Sequence, residues 1–193
     1  MTIYFLTTNP FKTAETKHYA EWRKVRETHG VELCVVKQDL QEILHPDIEK
    51  IVRQKAVGAF GVMGHPCVVE HGGLFMEALP GLPGSVGKIV WDAVGERLCG
   101  FLRDSDSRAA TVRCYLGYCD GRRIRVYIGE TRGHIADRAR GDYKFAWDPI
   151  FIPEGQSRTY GEMGLEQKRD TSPIYRAWDA FFKAERERVA NRT

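Results

Sequence analysis

The chain is as informative in what it lacks as in what it holds. No apolar run approaches the length of a membrane span, which excludes a helical membrane protein. The start, Met1-Thr2-Ile3-Tyr4-Phe5-Leu6, is too short and lacks the basic residues of a secretory signal. The five cysteines form no C-x-x-C pair, and their odd count in strand-like apolar runs predicts reduced, buried thiols in a cytoplasmic setting. The six histidines form no H-x-x-x-H and no zinc-spaced array with cysteine. A G-x-S-x-G elbow is missing. Gly81 to Ile89 imitates a P-loop and fails it: Gly81 lies one residue too early for Gly87-Lys88, and Ile89 stands where Ser or Thr would hold Mg²⁺. Charge of one sign is lacking too. Twenty-nine basic against 26 acidic residues leave +3, compatible with a small phosphorylated ligand and demanding no polyanion. Basic residues are spread rather than massed, which weakens a nucleic-acid reading that Arg122, Arg123 and Arg125 alone keep open. Asn191-Arg192-Thr193 matches a glycosylation sequon, read here as chance.

What is present is a 193-residue chain without repeats, low-complexity segments or linkers, enough for one domain with a substantial core. Ile3 to Leu6 predicts a first strand. Thr7-Thr8-Asn9-Pro10 predicts a turn with Thr8 or Asn9 capping a helix whose apolar stripe is Phe11, Ala14, His18, Trp22 and Val25, ending at Gly30. Val31 to Val36 predicts a second strand, and this β-α-β opening implies parallel pairing. Pro46 to Phe60 predicts a helix with Ile48, Ile51, Val52, Ala56 and Ala59 inward and Lys55 at the stripe's edge.

The third strand, Cys67-Val68-Val69, is predicted to stop at Glu70-His71-Gly72-Gly73. Polar groups at the carboxyl end of such a strand are site candidates, and the glycines would allow close backbone approach or a positive φ. Lys88 to Val94 predicts a short helix. Ala109 to Arg132 alternates with period two around Asp120-Gly121, a long hairpin with Val112, Cys114, Leu116 and Tyr118, then Ile124, Val126 and Ile128, on one face. A polar connector, Ile135 to Gly141, leads towards a strand Ile150 to Ile152. Ser172 to Val189 predicts a final helix with Tyr175, Trp178 and Phe182 inward. Taken singly, Lys12 in a first helical turn and Asp39-Leu40-Gln41-Glu42 after the second strand read more readily as solvated surface than as ligand groups.

Taken in order, these pieces form a larger pattern. It runs through Thr7-Thr8-Asn9-Pro10-Phe11-Lys12, Asp39-Leu40-Gln41-Glu42, Lys55, Val69-Glu70-His71-Gly72-Gly73-Leu74, and Ala78-Leu79-Pro80-Gly81-Leu82-Pro83-Gly84 with Lys88. Phe145-Ala146-Trp147-Asp148-Pro149, Thr159-Tyr160-Gly161-Glu162-Met163 and Glu166-Gln167-Lys168 complete it. The pattern resembles the inosine triphosphate pyrophosphatase family, the non-canonical purine nucleoside triphosphate pyrophosphatases, from Ile3 to Trp178. The resemblance implies a single α/β domain over residues 1–193, an elongated mixed sheet flanked by helices, with two lobes, an active-site cleft between them and homodimeric assembly. It implies Mg²⁺-dependent hydrolysis of a nucleoside triphosphate to monophosphate and pyrophosphate. By position, Thr7, Thr8, Asn9 and Lys12 would cradle phosphates, with Lys55 and Lys88 neutralising them. Glu42, Glu70 and His71 would hold the metal, with Glu70 and His71 at the chemistry. Phe145 and Trp147 would hold the base, with Asp148, Lys168 and Ser172 beside it.

Three departures from the family pattern stand out. His71 replaces an Asp, which disfavours Mg²⁺; Mn²⁺ would accept the imidazole, Glu70 would substitute, or His71 would act as a base. Ser172-Pro173-Ile174 replaces Ser-His-Arg and removes two donors to a purine 6-oxo group. Ala146 replaces the glycine of F-G-W-D-P. The expectation is therefore a nucleotide pyrophosphatase with a changed base preference. Its alternatives are a nucleotide-binding protein without hydrolysis, or a hydrolase that cuts another bond.

Overall fold

The computed structural model describes residues 1–190; the sequon at residues 191–193 lies outside them. In chain order the elements are β1 (Thr2–Leu6), α1 (Pro10–Trp22), α2 (Val25–His29), β2 (Glu32–Val36), α3 (Ile48–Met63), β3 (Cys67–Met76), β4 (Pro83–Gly84) and α4 (Gly87–Val94). A 3₁₀ segment, Gly95–Phe101, precedes the hairpin strands β5 (Ala109–Cys119) and β6 (Ile124–Ile135). A 3₁₀ turn, Asp148–Ile150, then leads to β7 (Phe151–Pro153), α5 (Tyr160–Lys168) and α6 (Pro173–Ala190). The fold is mixed α/β. One sheet runs β2-β1-β3-β5-β6-β7 with β4 on β3; β1 pairs parallel with β2 and β3, while β4 and β7 pair antiparallel. No helix among the described residues is long and apolar enough to cross a membrane.

The chain divides into two compact units, and β3, β5 and β6 contribute residues to both. The first holds Met1–His71, Cys114–Gly129 and the end of the chain from Ile174. In its core, Trp178, Phe181 and Phe182 of α6 meet Ile3 and Phe5 of β1 and Tyr19 of α1. On α3 the predicted stripe is the buried face, Ile48, Ile51, Val52, Lys55, Ala56 and Ala59, as a 3.6-residue period requires. Gly117 lets α3 approach: a Cβ there would lie 2.9 Å from the Val52 side chain. The second unit holds Gly72–Arg113 and Glu130–Pro173, with a core of Leu74, Met76, Leu98, Ile135, Phe151 and Tyr160.

Several expectations need correction. The first helix stops at Trp22, because Lys24 takes a left-handed φ of 48° before α2 begins. Its buried face is Glu15, Thr16 and Tyr19, one position round from the predicted stripe, and Ala14 is exposed. The third strand does not stop at Glu70. It runs on through His71, Gly72 and Gly73 to Met76, because Leu74 and Met76 are core residues and β4 pairs alongside. Neither Gly72 nor Gly73 has positive φ. On β6 the fully buried positions are Tyr127, Gly129, Thr131 and Ile135, and Ile128 is exposed. Ile150 belongs to the 3₁₀ turn rather than to β7, and residues 160–168 form the additional helix α5. The five thiols are free, and all but Cys34 are buried.

Candidate functional site

Within the first unit, four elements deliver charge to one place. The turn after β1 is fixed by Asn9, whose Oδ1 accepts from the amides of Phe11 at 2.9 Å and Lys12 at 3.3 Å. Thr7 Oγ1 accepts from the Asn9 amide at 3.1 Å, Pro10 occupies the first turn, and Thr8 is exposed. This cap starts α1 so that Lys12 sits in its first turn, where Nζ forms an ion pair with Glu70 of β3. Burial opposes the Lys12 charge, yet the Glu70 carboxylate outweighs it and raises the Lys12 pKa. From α3, Lys55 Nζ donates to Glu42 and, at 3.3 Å, to the Glu70 carbonyl. Glu42 lies in the loop after β2, and its Oε2 is 3.3 Å from His71 Nδ1. Burial pushes the Glu42 carboxyl up, but His71 and Lys55 more than reverse this and bring it down to about 2.

Two members of this cluster escape the sequence reading. Glu15 is buried one turn beyond Lys12, and its charge reaches Cys114 of β5. Cys114 Sγ donates to Glu70 Oε1 at 3.5 Å. Burial first, then Glu70, keeps that thiol protonated well above the usual range. Glu15 was detectable as a polar residue on a helix that also buries Thr16 and Tyr19. The Cys114 contact joins residues 44 positions apart, and nothing local announces it.

The three predicted metal ligands do not form one set. Glu42 and His71 meet, while the Glu70 carboxylate is turned to Lys12 and Cys114, as successive residues of a strand point to opposite faces. Among the described residues no three His, Cys, Asp or Glu side chains gather as a ligand group. The donors present do fit an ion that takes one or two carboxylates from protein and its remaining ligands from phosphate and water. Glu42 would supply the hard oxygen, and the adjacent imidazole would suit a softer ion better than Mg²⁺.

In the second unit a different cluster forms. Lys168, at the end of α5, donates to Asp148 at 2.6 Å, and the two side chains are 5% and 4% exposed. Its ammonium lies 4.9 Å from the Tyr160 ring centre, 5.1 Å from Phe145 and 5.8 Å from Tyr143. Burial pushes the Tyr160 phenol up to about 12, so it remains neutral. The helix carrying Lys168 starts from a capping box, Thr159 with Glu162. Trp147 packs on Gly87 at the start of α4, where a Cβ would come within 2.7 Å of the indole. Ala146, between the two predicted base-holding rings, has a left-handed φ of 45°. Lys88, expected beside the phosphates, is exposed and pairs with Asp92 one turn along α4.

Ser172 is buried, its amide donates to the Lys168 carbonyl at 2.8 Å, and its hydroxyl has no hydrogen-bond partner among the described residues. The next two residues offer no side-chain donor. Pro173 opens α6 without an N–H, and Ile174 is 4% exposed in the core of the first unit.

Residues 3–184 match the model of the Ham1 family. The chain belongs to the Ham1 family. A relative from Methanopyrus kandleri, a dITP/XTP pyrophosphatase, is 35% identical over 184 residues, covering 94% of this chain and 98% of its own. A crystal structure from Mycobacterium abscessus, described as a nucleoside-triphosphatase or dITP/XTP pyrophosphatase, matches with a TM-score of 0.69 at 28% identity, covering 94% and 97% of the two chains. A HAM1 protein from Coxiella burnetii matches with a TM-score of 0.76 over 97% and 99% of the chains; at 21% identity this likeness concerns the fold alone. The family expected from the sequence motifs is thereby borne out.

Proposed function

We propose that this Ham1 protein hydrolyses a nucleoside triphosphate to the monophosphate and pyrophosphate, with a base preference moved away from inosine and xanthosine. The observation that carries the proposal is the meeting of Lys12 and Lys55 with Glu42, Glu70 and His71 beside a capped helix start. Phosphoryl transfer is mostly positioning and charge neutralisation, and this cluster holds both in residues that can exchange partners. Phosphate oxygens would take Lys55 from Glu42 and Lys12 from Glu70, and Thr7 and Asn9 would fix the turn they bind. Freed Glu42, with His71 beside it, would hold the divalent ion. That ion supplies charge neutralisation at the phosphates when bound. Glu70, released from Lys12, or the His71 imidazole would accept the proton of the attacking water. The activity named for the Methanopyrus kandleri relative supports the same reaction class.

The altered base preference rests on the second cluster. Phe145 and Trp147 would sandwich a base, Asp148 and Lys168 would stand at its edge, and the unpartnered Ser172 hydroxyl would be free to bond it. The two donors missing at Pro173 and Ile174 would each have contributed roughly 1–3 kcal/mol of discrimination. Homodimeric assembly and a cytoplasmic place rest on the family resemblance and the free, mostly buried thiols. A second reading, nucleotide binding without hydrolysis, is favoured by His71 alone.

A panel of nucleoside triphosphates and monophosphates, incubated with Mg²⁺ and with Mn²⁺, tests these statements through product identification. Pyrophosphate from any triphosphate is the expected result. Calorimetric binding without product under either metal gives the second reading. Free base or inorganic phosphate would mean that another bond is cut. Preference for inosine triphosphate over every other substrate overturns the base-pocket statement.

A further inference from the structure

Glu70 is a buried carboxylate whose two oxygens have different holders. Oε2 faces the Lys12 ammonium, and Oε1 accepts from the Cys114 thiol at 3.5 Å. Glu70 and Cys114 are 5% and 3% exposed, so solvent does not compete for either. The terminal torsion of a glutamate is broad and roughly two-fold, and one partner on one oxygen does not fix the carboxylate plane. With Lys12 alone, the group could turn both oxygens onto the ammonium. The thiol, by donating to Oε1, opposes that turn. It is also a weak donor, able to orient the carboxylate without competing with a cation for its charge.

Cys114 stands in the inward row of β5 with Val112, Leu116 and Tyr118, where an aliphatic residue would fill the space as well. We propose that Cys114 is a positioning residue that sets the orientation of the Glu70 carboxylate for its work in the phosphate-side cluster. The functional part of this statement rests on the hydrolysis reading; the geometric part does not.

The experiment compares wild type, Cys114→Ser, Cys114→Ala and Glu70→Gln. In infrared spectra, the difference between wild type and Cys114→Ser isolates the Cys114 S–H stretch. Glu70→Gln replaces a charged acceptor by a neutral one and is expected to move that band to higher frequency. In pyrophosphate-release kinetics, Cys114→Ala is expected to lower kcat about five-fold with nucleotide KM unchanged, the factor of one modest hydrogen bond. Cys114→Ser keeps a donor and is expected to stay within about two-fold of wild type. A band that does not respond to Glu70→Gln overturns the proposal. So does an equal loss in the Ser and Ala variants, which would mark Cys114 as core filling. If wild type releases no pyrophosphate from any triphosphate, the hydrolysis reading falls. The band shift then still decides whether Cys114 orients Glu70.

Discussion

The two clusters use the same kinds of residue in opposite ways. In the first unit, lysines, carboxylates and an imidazole share one another: Lys55 serves Glu42 and the Glu70 carbonyl, and Glu42 serves Lys55 and His71. The Glu42 side chain is 38% exposed and Lys12 20%, so water or an incoming anion reaches part of the network. In the second unit, Lys168 and Asp148 form one closed pair, shut in by Tyr143, Phe145 and Tyr160. An open network stores charge that a phosphate can claim. A closed pair fixes shape, because breaking it strands an ion away from water.

That contrast is sharpest in stability. Asp148→Ala takes away the buried carboxylate to which the Lys168 ammonium donates and is expected to cost about 3–5 kcal/mol. Glu42→Ala removes a partner open to solvent and is expected to cost about 1 kcal/mol. Urea titrations of both variants measure the difference. Replacing the whole pair, Asp148→Leu with Lys168→Met, is expected to recover most of the loss. Equal costs for Asp148→Ala and Glu42→Ala would break the distinction between open and closed clusters.

Activity is expected to divide the other way. Lys55→Ala takes away a preorganised cation on the phosphate side, and pyrophosphate release is expected to fall about 10²–10³-fold. Lys88, exposed and paired with Asp92 along its own helix, is the control within the second unit. Lys88→Ala is expected to lose less than about ten-fold, since a solvated lysine contributes little preorganisation. A loss at Lys88 as large as that at Lys55 would show that the phosphate groups are not confined to the first cluster.

The metal side is tested by His71→Asp, which adds a hard oxygen beside Glu42. Mg²⁺ affinity is expected to tighten about ten-fold, or about 1.4 kcal/mol. The thermal unfolding midpoint, followed with and without Mg²⁺, reports this independently of turnover. Without metal the variant is expected to be less stable than wild type, because two carboxylates then repel. With metal that order reverses, and a midpoint indifferent to Mg²⁺ would remove Glu42 and position 71 from the metal site.

Much of this was legible in the sequence, and the failures have physical causes. The face of α3 came out residue for residue, Lys55 included, because a 3.6 period over 16 residues leaves one choice of stripe. The Asn9 cap and the parallel β1–β2 pair follow from local chemistry and crossover handedness. The end of β3 was misplaced because Gly72-Gly73 reads locally as a breaker. Burial of Leu74 and Met76 and pairing with β4 keep the strand extended through them. The break at Lys24 has no local signal, since lysine seldom takes that conformation. Cys114 on Glu70 and the rings around Lys168 are made by tertiary packing, so residue types could nominate members without giving partners. Family resemblance supplied the grouping that spacing alone did not.

The smallest expected effect compares the two units most directly. Ala146 and Lys24 are the two non-glycine residues with positive φ among those described, at 45° and 48°. A left-handed conformation costs an L-residue about 1–2 kcal/mol. Glycine relieves that strain and gives back part of it, about 0.4–1 kcal/mol, through its greater freedom in the unfolded chain. Ala146→Gly and Lys24→Gly should therefore each gain about 0.5–1 kcal/mol in denaturant unfolding. They should differ in everything else. Lys24 is exposed at a helix junction, and its replacement leaves the ordering of nucleotide substrates as it was. Ala146 stands in sequence between Phe145 and Trp147, whose rings are proposed to hold the base. Its removal is expected to widen the range of purines accepted as well as to stabilise the chain. A stability gain at both positions with a shift in substrate ranking at neither would mean that the strain at Ala146 is only strain, and would move base recognition away from this turn.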